Sequence, residues 1–253
     1  MLHGGLDNAF SWAPILAPLA AARRVLAVDL PGHGLADPFD FRTVDLLDHG
    51  RIFVRDVLNE LGLEVVDLAA SSIGALYATS FALAEPGRVA HLVLAGAPAG
   101  LMRPGVALPL RLLALPGIGR PLGRRLMSNP KRDANRKFWG EILVARPEQL
   151  DDDLLDADVA SQRHNIETHL SLIRSVADAG GVRRRFVMGE RWQLLTMPTL
   201  VIWGERDAFI SPDKGQAIAS ANPNVRVVRI RDAGHLPWHD EPERVAAEID
   251  RFL

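Results

Sequence analysis

The chain reads as an α/β protein, a mostly parallel, doubly wound sheet with a helical insertion. Three observations predict this. Short, nearly continuous apolar runs at residues 25–29, 65–70, 91–95, 199–203 and 225–230 have the composition of strands buried on both faces. Between most of them the apolar residues recur at helical spacing, so that strand and helix alternate. From about residue 100 to 190 the alternation stops, and Pro/Gly-rich apolar turns give way to polar helical stretches without a convincing strand. Residues 1–99 and 191–253 are therefore expected to form the sheet-centred core, and 100–190 a helical cap.

The elements follow in order. Val25-Leu26-Ala27-Val28-Asp29 is a buried strand that stops at the loop Leu30-Pro31-Gly32-His33-Gly34. Residues 43–61 carry Val44, Leu47, Val54, Val57, Leu58 and Leu61 at helical spacing, with Gly62 as a C-terminal stop. Val65 to Ala70 is the next strand, Ile73 to Ala84 a helix, and His91 to Ala95 another strand. After the insertion come strands Thr199–Trp203 and Val225–Ile230, then an amphipathic helix from about Pro242 to Leu253.

Composition narrows the classes. At 253 residues, 48% hydrophobic and 24% charged, the chain can bury a full core. A formal net charge of −2 supplies no general attraction to nucleic acid or anionic membrane. The absence of Cys removes disulfides, thiolate metal sites and a Cys nucleophile. No apolar run approaches the roughly 18–20 residues that span a bilayer. No charged-then-apolar leader precedes the fold, and a cytoplasmic location is expected.

Ser72 carries the chemistry. In Ala69-Ala70-Ser71-Ser72-Ile73-Gly74-Ala75 an apolar run turns into a small-residue helix at a serine flanked by Ala70 and Gly74. A nucleophile held on a sharp strand-to-helix turn needs small residues two before and two after it. Were Ser71 the nucleophile, β-branched Ile73 would occupy the crowded second position. On this motif alone, a nucleophile and a helix-capping serine are both open. A serine hydroxyl needs a base, and the base a carboxylate to orient it. Asp207 follows the 199–203 strand in Gly204-Glu205-Arg206-Asp207, and His235 follows the 225–230 strand in Asp232-Ala233-Gly234-His235. Glu205 and His239 are the rivals for these two places. His49, His91, His164 and His169 have no partners at metal-ligand spacing, so neither metal nor cofactor is expected.

His3-Gly4-Gly5 with Trp12, Asp29-Leu30-Pro31-Gly32-His33-Gly34, the Ser72 turn, Trp203-Gly204-Glu205-Arg206-Asp207 and Gly234-His235 stand in the order found in the α/β-hydrolase fold superfamily. Nearly the whole chain resembles a serine hydrolase of that fold with a helical cap, closest in look to carboxylesterases and to carbon–carbon bond hydrolases of aromatic ring-fission products. The resemblance implies Ser72 as nucleophile, His235 as general base and acid, Asp207 as orienting carboxylate, and the N–H groups of Gly5 and Ile73 as oxyanion hole. Relatives using an alkyl-enzyme ester carry Asp where this chain has Ser72. Two departures stand out: Ala70 replaces the usual Gly, and Leu236 stands where the carbon–carbon hydrolases carry Trp. Family members also have a central strand before the His-Gly motif. Here only Met1 and Leu2 precede His3, so the native protein is expected to begin upstream, or else to have an altered oxyanion hole.

The implied reaction is cleavage of a carboxylic ester or related acyl compound through a seryl acyl-enzyme. Carbon–carbon bond hydrolysis and a non-catalytic small-molecule receptor are the alternatives. The expected partner is a small apolar or aromatic acyl substrate, with no nucleic acid and with homo-oligomerisation left open. Leu6, Phe138, Trp139 and Leu236 are expected to line its pocket. The stretch Leu101–Met127, with Arg103, Arg111, Arg120, Arg124 and Arg125, suggests an apolar lid. Whether one of these arginines meets a substrate carboxylate or all stay in water is open, with water the expectation for any one of them.

Overall fold

The computed structural model describes residues 1–96, 98–103, 108–178 and 181–253, so Pro104 of the Leu101–Met127 stretch lies outside the described residues. In chain order the elements are α1 (Ala13–Ala20), α2 (Leu46–Glu60), β1 (Val66–Ser71), α3 (Ser72–Ala84) and β2 (Val89–Ala95). Then come α4 (Leu108–Ala114), α5 (Gly119–Met127), α6 (Arg132–Ile142), α7 (Asp152–Val176) and the two-residue strands β3 (Ala177–Asp178) and β4 (Gly181–Val182). The chain closes with β5 (Thr199–Gly204), α8 (Pro212–Ala219), β6 (Val225–Ile230), α9 (Pro237–Asp240) and α10 (Pro242–Phe252).

The main sheet runs β1-β2-β5-β6 and is parallel throughout. Alternate residues serve opposite faces, which is why the strands read as unbroken apolar runs. Leu92, Leu94, Val201 and Trp203 join a core with α2 and α3, while Val93, Ala95, Leu200 and Ile202 join one with α1 and α10. The registers Ser71↔Ala95 and Gly204↔Ile230 bring the carboxyl ends of the strands to one edge, the edge at which open α/β sheets bind ligands.

Of the expected strand Val25–Asp29, Val28 forms a parallel bridge to Leu2 and Leu26 O accepts from the Met1 amine at 2.5 Å. Leu2 bridges Val28 and Ala70, both in parallel. Its N–H donates to Ala69 O at 2.9 Å, its carbonyl accepts from Ser71 N–H at 3.0 Å, and Met1 O accepts from Val28 N–H at 3.1 Å. Met1 and Leu2 thus occupy the strand position beside β1 and fix the loop that starts at His3. Beyond them, between α2 and α10, lies a cleft of about 300 Å³ lined by residues such as Val25, Leu58, Val66 and Leu68.

Helix α7 is fastened to the loop after Asp29. Gly34 N–H donates to Ser161 Oγ (3.1 Å), Asn165 Nδ2 to Gly34 O (3.0 Å), Phe39 N–H to Thr168 Oγ1 (2.8 Å) and Phe41 N–H to Ser171 Oγ (3.0 Å). Spacings of three and four put these four residues on one helix face. The helix breaks its regular geometry at Asn165 (φ −116°, ψ 23°), within that row.

Candidate active site

The backbone of Ser72 has φ 46°, whereas Ser71 before it is extended at φ −130°. A left-handed conformation is costly for a residue with a Cβ and persists only where the surroundings impose it. Here β1 turns directly into α3, and the close approach explains the composition. A Cβ on Gly74 would stand 2.4 Å from His3 O and 2.7 Å from Leu2 O. Ser71 is fully buried and its Oγ is unpartnered.

Asp207 and His235 meet across the loops after β5 and β6. His235 Nδ1 lies 2.8 Å from Asp207 Oδ2, and both side chains are buried. The other carboxylate oxygen accepts from Phe209 N–H (2.8 Å) and Ile210 N–H (3.2 Å). Burial pushes the Asp207 carboxyl up, but His235 and these two N–H bonds more than offset it and hold the group below the usual carboxylate range. An ionised Asp207 accepts only, so Nδ1 carries the imidazole proton and Nε2 is left as base. The two loops interlock because Gly204 lacks a side chain: a Cβ there would sit 1.9 Å from Gly234 O.

Both rivals lie elsewhere. Glu205 pairs with Arg229 at 3.3 Å, and His239 contacts Ser11 Oγ at 3.2 Å and is held down to about 3 by burial.

Ser72 and His235 line the same cavity, of about 150 Å³. His235 Nε2 is buried without a hydrogen-bond partner, so no bond to Ser72 Oγ is made. Such bonds commonly tighten only when substrate is bound. Gly5 and Ile73 are adjacent at the cavity wall, where a Cβ on Gly5 would be 3.1 Å from Ile73 Cγ1. The Ile73 N–H lies in the first turn of α3, where no intrahelical acceptor exists. The loop carrying Gly5 is braced from below. Leu30 N–H donates to His3 Nε2 (2.9 Å), which leaves Nδ1–H to donate to Gly4 O (2.7 Å), and Asp29 Oδ1 accepts from Ala9 N–H (2.7 Å). Leu6 completes the turn with φ 62°.

Leu6, Phe138 and Leu236 line the cavity together with Leu76, Ile142, Leu172, Ile173, Val176 and Phe186. Trp139 does not. Its indole is buried beneath α6, donating from Nε1 to Asp158 Oδ2 at 3.0 Å and meeting the His239 ring edge-on. Neighbouring positions on a helix face different ways, so α6 turns Phe138 to the cavity and Trp139 away from it. Asp7 also lines the cavity, with burial first and Asp158 next raising its carboxyl to about 8. Its place in the loop two residues past Gly5 was the only sequence signal for it.

A model of the alpha/beta hydrolase family matches residues 1–248. The chain belongs to this family. The hydrolase is 34% identical over 260 residues to a protein of Cupriavidus pinatubonensis named 2-hydroxy-6-oxononadienedioate/2-hydroxy-6-oxononatrienedioate hydrolase, covering 100% of this chain and 85% of that one. A Pseudomonas putida protein of the same name is 32% identical over 249 residues, covering 96% and 83%. Among solved structures, the carboxylesterase CesB of Bacillus subtilis superposes with TM-score 0.74 at 21% identity, covering 99% of this chain and 81% of that one. The meta-cleavage product hydrolase CumD of Pseudomonas fluorescens gives 0.75 at 19%, covering 99% and 88%. These two likenesses are of fold. No helix among the described residues is long and apolar enough to cross a membrane.

Proposed function

We propose that the protein hydrolyses a carboxylic ester through a seryl acyl-enzyme, with Ser72 as nucleophile, His235 as general base and acid, and Asp207 as its orienting carboxylate. The observation that carries this is Ser72 held at φ 46° on the wall it shares with His235, whose Nδ1 is engaged by Asp207 at 2.8 Å. Ser72 Oγ attacks the acyl carbon while His235 Nε2 takes its proton. The carbonyl oxygen gains negative charge and is met by the N–H groups of Gly5 and Ile73. As the tetrahedral intermediate collapses, the alkoxide leaves with the proton from His235. Water then repeats the sequence on the acyl-enzyme, losing a proton to His235 and releasing the acid and free Ser72. Leu110 of α4, Phe138 and Ile142 of α6 and Leu172, Ile173 and Val176 of α7, all in the expected cap, give the cavity an apolar wall beside Ser72.

A second reading, hydrolysis of a carbon–carbon bond in a ring-fission product, is favoured by the names of the relatives. It uses the same serine and histidine.

A fluorophosphonate probe tests the serine chemistry. The unmutated protein is expected to label stoichiometrically and Ser72→Ala not at all, with ester turnover lowered by about 10⁴-fold or more. A folded, unmutated protein that fails to label would refute a seryl intermediate in either reading. Labelling without turnover across a panel of esters would favour the second.

A further inference from the structure

The cavity discriminates by charge, and here the chain parts from the substrates its relatives are named for. We infer, on the seryl-hydrolase reading above, that the acyl group entering this cavity is uncharged and about the volume of a benzene ring or a five- to six-carbon chain, and that a carboxylate on that group is refused.

The lining carries the argument. Besides Ser72 and His235, Asp7 contributes the one ionisable side chain, and everything else is glycine, alanine, aliphatic or phenyl. No lysine or arginine lines the cavity among the described residues. The residues outside the description (Ala97, Pro104 to Ala107, Ala179 and Gly180) have no basic side chain to add. The arginines of the surrounding helices are turned elsewhere. Arg103 donates to Val182 O at 2.8 Å, Arg120 and Arg124 both clasp Glu167 on the outer face, and Arg111 and Arg125 are exposed.

A carboxylate placed in such a site loses its hydration and gains no cation, which is the costliest form of burial. Asp7 brings no compensating cation in either of its states. At neutral pH its carboxyl, raised to about 8, is an uncharged acid, and only once ionised would it repel a second carboxylate. The dioates named for the relatives carry two carboxylates. Apolar matter, in contrast, meets hydrocarbon on every side: Leu76, Ile142, Leu172, Ile173, Val176 and Phe186.

Paired substrates of equal length test this. With 4-nitrophenyl hexanoate and the 4-nitrophenyl monoester of adipic acid, the neutral ester is expected to have a kcat/KM at least about 100-fold higher. In parallel, hexanamide and adipate are titrated calorimetrically into Ser72→Ala, where only the amide is expected to bind. An adipate monoester turned over within about tenfold of the hexanoate, or adipate bound as tightly as hexanamide, would overturn the inference. The binding arm needs no catalysis. If hexanamide binds selectively while Ser72 neither labels nor turns over an ester, the serine mechanism fails and the charge preference stands.

Discussion

Around one cavity, the loops at the strand ends bring polar atoms together, His235 Nδ1 to Asp207 Oδ2 at 2.8 Å and Asp207 Oδ1 to two N–H groups, whereas helices α4, α6 and α7 bring only hydrocarbon and Arg120 and Arg124 of α5 pair with Glu167 on the outer face. The first region is fixed by hydrogen bonds between loops that a few glycines let interlock. The second is joined to it by the polar row on α7, by the loop after α6, where Asp240 accepts from the N–H groups of Ala145 and Arg146 and Leu143 O accepts from Leu236 N–H, and otherwise by apolar packing. Directional bonds position reacting atoms, and non-directional packing shapes a space. On the proposed mechanism, the reaction belongs to the sheet edge and the choice of substrate to the helices.

The comparison is broken most severely at the sheet edge. Asp207→Asn keeps the shape but presents an amide to His235. The imidazole then carries its proton on Nε2, where a base is needed. Ester kcat is expected to fall by about 10³- to 10⁴-fold with acyl preference unchanged. Steady-state kinetics on two acyl lengths checks both halves. A variant whose preference shifted along with its rate would show that the regions do not divide the work.

The same division governs what could be read from the sequence. The sheet edge was legible because each of its residues follows an apolar strand with a turn signature: Ser72 between Ala70 and Gly74, Asp207 after Trp203-Gly204, His235 after Gly234. Tight backbone approaches leave marks in the residue types that survive them. The helical region left weaker marks, since any leucine there suits either a core or a pocket. Leu172, Ile173 and Val176 look no different from Leu154 and Leu155, which pack into the other core. The row Ser161, Asn165, Thr168 and Ser171 was also unread, because polar residues on a helix ordinarily signify water. The loop carrying Gly5 was the reverse case, because its supports lie far from it in the chain: Leu2 bridges Val28 and Ala70, and His3 and Asp29 brace the loop from beneath.

The seam between the regions predicts an intermediate effect, on stability. His3, His33, His169 and His239 are buried and held below their ordinary value, burial being the main cause for each, with His33 at about 4 and His239 at about 3. Asp7 and Asp158 are raised by burial to about 8 and about 7. Between pH about 4 and 6.5 the unfolded chain protonates the four histidines while the folded chain protonates only the two acids. The unfolded state then binds more protons, and stability rises with pH. Above 6.5 the histidine contribution fades and the two acids, protonated only in the folded state, oppose the rise, while the Met1 amine, lowered to about 5 by burial, offsets most of that opposition. The melting temperature is therefore expected to climb steeply between about pH 4.5 and 6.5 and to level off between about pH 7 and 8. A melting temperature that stayed flat or fell between about pH 4.5 and 6.5 would contradict the buried, neutral histidines at the seam.

The smallest effect is expected on the outer face of the helices. Glu167 is about half exposed and pairs with Arg120 at 2.9 Å and with Arg124. Exposed pairs of this kind contribute at most about 1 kcal/mol, so Glu167→Gln should lower the melting temperature by no more than about 2–4 °C. Freed of their partner, Arg120 and Arg124 still have water on their own side of α5 and no path through the packed faces of α5 and α7 to the cavity. Ester kcat/KM and the preference for hexanoate over the adipate monoester should both stay within about twofold of the parent, a difference of under 0.5 kcal/mol. A gain in adipate turnover in Glu167→Gln would mean that a released arginine reaches the substrate, and the line between a polar outside and an apolar inside would have to be redrawn through α5.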